Sequence, residues 1–149
     1  MAHLLDTNIL IRLANAADPF HAIASRAVFE LHRRNEVLHV TPQNLIEFRN
    51  VATRPVAVNG LGFSIADTEK QMAMFETRFP LLADTVAIYP AWKALVMALG
   101  VIGKRVHDAR LVAVCHAHGV DKLLTFDVAN FAQLGTFGPG VVIVDPAKV

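Results

Sequence analysis

Met1-Ala2-His3-Leu4-Leu5-Asp6-Thr7-Asn8 opens the chain, and the reading of the whole fold turns on it. Two leucines run straight into an acid, a hydroxyl and an amide, and an apolar helix-like run starts at Ile9. His3-Leu4-Leu5 reads as a short buried strand, an unusual place to leave a carboxylate at the end. Two readings are open for Asp6. It can cap the next helix by accepting hydrogen bonds from free N–H groups, or it can belong to a site. These eight residues taken alone favour the cap.

Moving outward, residues 9–14 read as a helical turn or two. Asp18-Pro19 is a helix-start signal for a helix over about 21–34. Residues 37–40, Val-Leu-His-Val, are a second strand. Thr41-Pro42 then gives a cap and a first-turn proline for a helix over 43–52. Residues 54–63, with Pro55, Gly60 and Gly62, form a loop. Ser64-Ile65-Ala66-Asp67 resembles a capping box with Asp in place of Glu or Gln, opening a helix that runs to about Phe79 and stops at Pro80. Residues 85–88 are a third strand candidate. Pro90 starts a helix to about Leu99, and 108–118 form another, ended by Gly119. Residues 122–125 are the fourth strand, 126–134 a loop with a helical turn, and 141–144 the last strand. Strands that alternate with helices and are apolar throughout predict a three-layer α/β/α sandwich on a mainly parallel, roughly five-stranded sheet. The chain carries no repeat, low-complexity segment or linker, so its 149 residues are expected to form one domain.

Composition narrows the partners. Apolar residues make up 54% and charged residues 18%, which fits a sheet covered on both faces or an extra apolar surface for association. No apolar run is long enough to cross a bilayer. A net charge of +1 leaves any nucleic-acid binding to a local basic patch. The single cysteine, Cys115, excludes an internal disulfide, and with no signal segment read at the start the expected compartment is the reducing cytoplasm.

The acids then fall into a pattern. In parallel sheets ligands bind beyond the carboxyl ends of the strands. Asp6 follows the first strand and Asp127 the fourth, each after a pair of leucines. Asp108 opens a helix and shares a face with Leu111, Val112 and Cys115, so it tops an inward stripe, although a helix cap explains it equally well. Glu47 groups on a helical wheel with Gln43 and Asn50, away from Leu45, Phe48 and Ala52, which reads as a solvated face.

Leu4-Leu5-Asp6-Thr7-Asn8-Ile9-Leu10, Asn44-Leu45-Ile46-Glu47-Phe48, Val106-His107-Asp108-Ala109-Arg110-Leu111 and Leu124-Thr125-Phe126-Asp127-Val128-Ala129-Asn130 together resemble a PIN domain. Within that superfamily they are most similar to the VapC-type toxins of bacterial toxin–antitoxin pairs. Each motif is weak alone; the ordered set covers nearly the whole chain. The resemblance implies a metal-dependent ribonuclease whose four acids fall on Asp6, Glu47, Asp108 and Asp127. The family's small polar residues match Thr7 and Asn8 after the first acid and Thr125 before the fourth. A further family acid is here Asn130, which puts a ligand role at that position in doubt.

Four converging carboxylates repel one another unless a hard cation joins them, and oxygen-only ligands favour Mg²⁺ or Mn²⁺ over zinc. Asp6, Asp108 and Asp127 are the expected ligands, Glu47 a ligand or a water-orienting base, and Thr7, Asn8 and Thr125 their supports. Lys104 and Arg105, with Arg12, Arg49 and Arg54 as weaker candidates, are the residues that could meet RNA phosphates. None of the seven histidines offers a competing site, and Cys115 reads as core. The expected partners are an RNA substrate, an antitoxin protein and a second copy of the chain, with no membrane. Two alternatives stand beside the toxin: a PIN nuclease of RNA processing without an antitoxin, and a non-catalytic RNA- or protein-binding scaffold. An aspartyl phosphatase would want a second Asp where Asn8 stands.

Overall fold

The computed structural model describes residues 1–149. Four strands form one sheet: β1 (Ala2–Leu5), β2 (Val37–His39), β3 (Lys122–Leu124) and β4 (Val142–Val144). Their order is β2-β1-β3-β4, and every neighbouring pair is parallel. Seven helices connect them: α1 (Thr7–Ala14), α2 (His21–Arg33), α3 (Pro42–Thr53), α4 (Ile65–Arg78), α5 (Ile88–Leu99), α6 (Arg105–His118) and α7 (Val128–Gly135).

The leucine pairs explain why the sheet lies in the middle. Successive side chains on a strand point to opposite faces. Leu4 and Leu123 pack with Leu95, Leu111, Val112 and Phe131 of α5, α6 and α7. Leu5 and Leu124 pack with Leu10, Val28, Phe48 and Phe75 of α1, α2, α3 and α4. Both faces of β1 and β3 are therefore dry, and the three-layer α/β/α architecture follows.

The strand count is four, not five. Thr85–Ala87 is a turn, not a strand; the Ile88 N–H donates to the Thr85 carbonyl at 3.2 Å and α5 begins there. The β-branched composition misleads because Val86 is 95% exposed and has no sheet to pack on. A single parallel bridge extends the sheet edge elsewhere, between Val40 and Leu81. Pro90 sits inside α5 without breaking it, since the first-turn N–H it lacks has no helical acceptor. Residues 126–134, expected as a loop with a helical turn, are mostly α7, whose Phe131 and Leu134 are fully buried. α6 starts three residues before Asp108, with Lys104 at the cap position, so Asp108 is not a cap. Residues Leu111 to Cys115 are all buried, so the inward stripe widens to the full circumference of the helix over its middle turn.

Candidate functional site

The carboxyl ends of β1 and β3 lie side by side, and this pairing builds the first half of the site. The Asp6 N–H donates to the Leu124 carbonyl at 2.9 Å, keeping the strands in register to their last residues. The next side chains then meet. The Thr125 hydroxyl donates to Asp6 Oδ2 at 2.6 Å and accepts from Asn8 Nδ2 at 3.2 Å and from the Asp127 N–H at 2.9 Å. One buried hydroxyl thus ties β1, α1 and the start of α7 together. Asp6 is also the cap of α1, its Oδ1 accepting the Thr7 N–H at 2.7 Å. Cap and site are the same carboxylate.

The second half comes from α3 and α6. The Thr7 hydroxyl donates to Glu47 Oε2 at 2.6 Å and accepts from Asn44 Nδ2 at 3.2 Å. Asn44 is fully buried and uses its Oδ1 to take the Thr41 N–H at the start of α3. Gln43 Nε2 donates to Glu47 Oε1 at 2.9 Å and to the His107 carbonyl at 2.8 Å, clamping α3 onto the start of α6. Arg110 closes the chain of contacts, donating to Gln43 Oε1 at 3.2 Å and to Asp84 Oδ1 at 2.9 Å. Glu47 is therefore half-buried and bonded on both oxygens, not on a solvated face. Gln43, Asn44 and Arg110 were not singled out as site residues from the sequence. The one signal available was the i, i+4 spacing of Gln43 and Glu47.

The electrostatics show which carboxylates face one another. Burial pushes the Asp6 carboxyl up to about 7; its bonds from Thr125 and Thr7 oppose the shift, and the charges of Asp108 and Glu47 add to it. Burial also raises Asp108, helped by Asp127 and Glu47 and opposed by Arg105 and His107. Asp108 accepts no hydrogen bond from the protein, whereas Asp127 takes two from Asn130 Nδ2, at 2.9 and 3.0 Å. Asn130 thus hydrogen-bonds the fourth acid instead of adding a fifth charge.

As the side chains stand, no three acidic, histidine or cysteine groups are near enough to share one ion. The reason is visible in the bonding: Asp6, Glu47 and Asp127 each turn toward a neighbouring donor. The donor set nonetheless fits a hard cation. It is oxygen only, partly dry, and destabilised by mutual repulsion that a bound cation would relieve.

The basic candidates separate. Lys104 is exposed beside α6, while Arg105 donates to the Asn130 carbonyl at 3.0 Å, next to the acids. Arg12 lies over the rings of Phe20 and Phe126 and pairs with Asp18, Arg49 pairs with Glu69, and Arg54 donates to the Asn59 carbonyl. These three are committed elsewhere. Cys115 is fully buried, its thiol pushed up to about 12 by burial, as a core residue should be.

The fold has counterparts among solved structures. VapBC2 of Rickettsia felis, crystallised with a DNA fragment from its promoter, matches with a TM-score of 0.67 at 16% identity, over 97% of this chain and 98% of that one. VapBC-1 of nontypeable Haemophilus influenzae gives 0.67 at 18%, over 99% and 100%. VapC20 of Mycobacterium tuberculosis, a toxin that cleaves the sarcin–ricin loop, gives 0.65 at 21%, over 89% and 94%. No curated protein matches the chain in sequence. The sequence profile of the PIN domain does match, from residue 3 to residue 136, spanning every acid described above, and the chain belongs to the PIN domain family.

Proposed function

We propose that the chain is a Mg²⁺- or Mn²⁺-dependent endoribonuclease, the toxin of a type II toxin–antitoxin pair. The observation that carries this reading is the electrostatic group of Asp6, Glu47, Asp108 and Asp127 at the carboxyl edge of the sheet. Asp6, Asp108 and Asp127 would hold the cation. When bound, it supplies a nucleophilic water near neutral pH and offsets charge on the phosphodiester. Glu47, held by Thr7 and Gln43, would orient that water or join the three aspartates on the cation. Thr125 fixes Asp6 and the Asp127 backbone, and Thr7 and Asn8 hold the remaining supports. Lys104 and Arg105 would meet RNA phosphates flanking the cut, adding affinity without sequence choice.

The likeness to VapBC structures supports an antitoxin protein as the partner. Homodimerisation is supported by apolar side chains left in solvent on and around α5, among them Val86, Met97 and Ile102. No helix is long and apolar enough to cross a membrane, and a cytoplasmic site of action is part of the same proposal. The test is cleavage of a structured RNA with Mg²⁺ or Mn²⁺. The wild type should cut, the chelated protein should not, and Asp6→Asn and Asp108→Asn should each lose about a hundredfold or more. Undiminished cleavage by both variants would overturn the assignment.

A further inference from the structure

A second cleft opens beside the acids, between α5 and α6. It encloses about 520 Å³ and is walled by Ile88, Tyr89, Trp92 and Val106, with His107 and Arg110. His107 and Arg110 also line the neighbouring cleft of about 450 Å³ that contains Glu47, so the two clefts share a wall. Its aromatic wall is ordered in advance. Tyr89 and Trp92 stack with ring centres 5.8 Å apart and planes 27° from parallel. The Trp92 indole N–H donates to the Val106 carbonyl at 2.7 Å, which fixes that ring. Tyr89 is 64% exposed and presents an uncovered ring.

Charge narrows the occupant. Arg110 spends one donor on Gln43 and one on Asp84, leaving others among the five of a guanidinium for an anion. Arg110 is ion-paired with Asp84, and an apolar helix from a second copy would bury its remaining N–H donors without partners. A nucleotide answers both features, with a flat base for the rings and a phosphate for the guanidinium.

Building on the ribonuclease reading above, we propose that the α5–α6 cleft binds an unpaired nucleobase next to the scissile phosphate, the base stacked on Tyr89 and Trp92 and its phosphate on Arg110. A base held in a helix would first have to break its pair and unstack before it could enter.

Trp92 is the only tryptophan, so its emission reports on this cleft alone. The Asp6→Asn chain, which leaves RNA uncut, is titrated with a short single-stranded RNA and with an abasic ribose-phosphate chain of equal length. RNA should quench the indole and the abasic chain should not. Adding Tyr89→Ala should weaken RNA binding about tenfold, leave abasic binding unchanged, and be rescued by Tyr89→Phe. In the cleaving wild-type background the same change should raise KM more than it lowers kcat. Equal responses to both ligands, from a chain that does cleave RNA, would overturn the proposal. So would a Tyr89→Ala variant that binds RNA normally but no longer self-associates in sedimentation, which would assign the cleft to a second copy. A wild type that cleaves no RNA with either metal overturns the ribonuclease reading itself, and this proposal with it.

Discussion

Asp6 is the residue on which folding and chemistry pull in opposite directions. Its carboxyl is 7% exposed and its pKa stands at about 7, against 3.8 for a free side chain. The folded state therefore favours the protonated form. The stability that this residue contributes is complete below about pH 4 and is lost as pH rises through about 7, a cost on the order of 4 kcal/mol for full ionisation. With chelator present, Asp6→Asn should melt above the wild type at pH 8, the gap closing toward pH 4; thermal melts across that range decide it, and a gap that widens at low pH would contradict the sign. Thr125 is the second such residue. Thr125→Val keeps the shape but strips the hydroxyl from Asp6, Asn8 and the Asp127 N–H. Urea denaturation should show a loss of about 1–3 kcal/mol, because buried partners are left unpaired. The sequence makes Asp6 and Thr125 readable, since each directly follows a strand end. It does not make Glu47 readable, because a helical wheel gives the side of the helix and not the neighbour: Glu47 and Gln43 on the polar side of α3 meet Thr7 and the start of α6, while Asn50 on the same side is exposed.

At the scale of elements, the helices and strands with strong local signals lie near where their patterns put them, and the failures share one cause. Residues 85–88 have strand-like composition, but the segment turns into α5 with Val86 in solvent. α7 has few helix-start cues, and what fixes it is tertiary: Phe131 and Leu134 bury against the sheet. Its end is held by close backbone approach. The Val141 N–H donates to the Gly135 carbonyl at 2.8 Å, and a Cβ on Gly135 would lie 2.5 Å from the Val141 carbonyl oxygen. Gly135→Ala should therefore part α7 from the entry to β4. A lowered urea midpoint at constant slope, worth about 1–3 kcal/mol, is the expected result; a midpoint equal to the wild type would show that the loop absorbs the methyl.

Across the whole molecule, the parallel sheet does one thing for function: it brings Asp6 and Thr125 to the same edge from opposite ends of the chain. α3 and α6 then swing Glu47 and Asp108 over that edge, clamped by Gln43 and Arg110. The covering of both sheet faces follows from the apolar leucine pairs, so the three-layer architecture is legible, whereas the strand order is not. The clamp is not, because it depends on three elements meeting. The result is a group of carboxylates in which burial, helped by neighbouring charge, raises Asp6 and Asp108, while Asp6, Glu47 and Asp127 are bonded to protein donors. Cation binding should therefore release protons. The direct measurement is calorimetric titration of the wild type with Mn²⁺ at pH 7 in two buffers of different ionisation enthalpy. Saturable binding with proton release, abolished in both Asp6→Asn and Asp108→Asn, is the predicted result; no binding by the wild type, or equal binding by the variants, would contradict a shared metal centre.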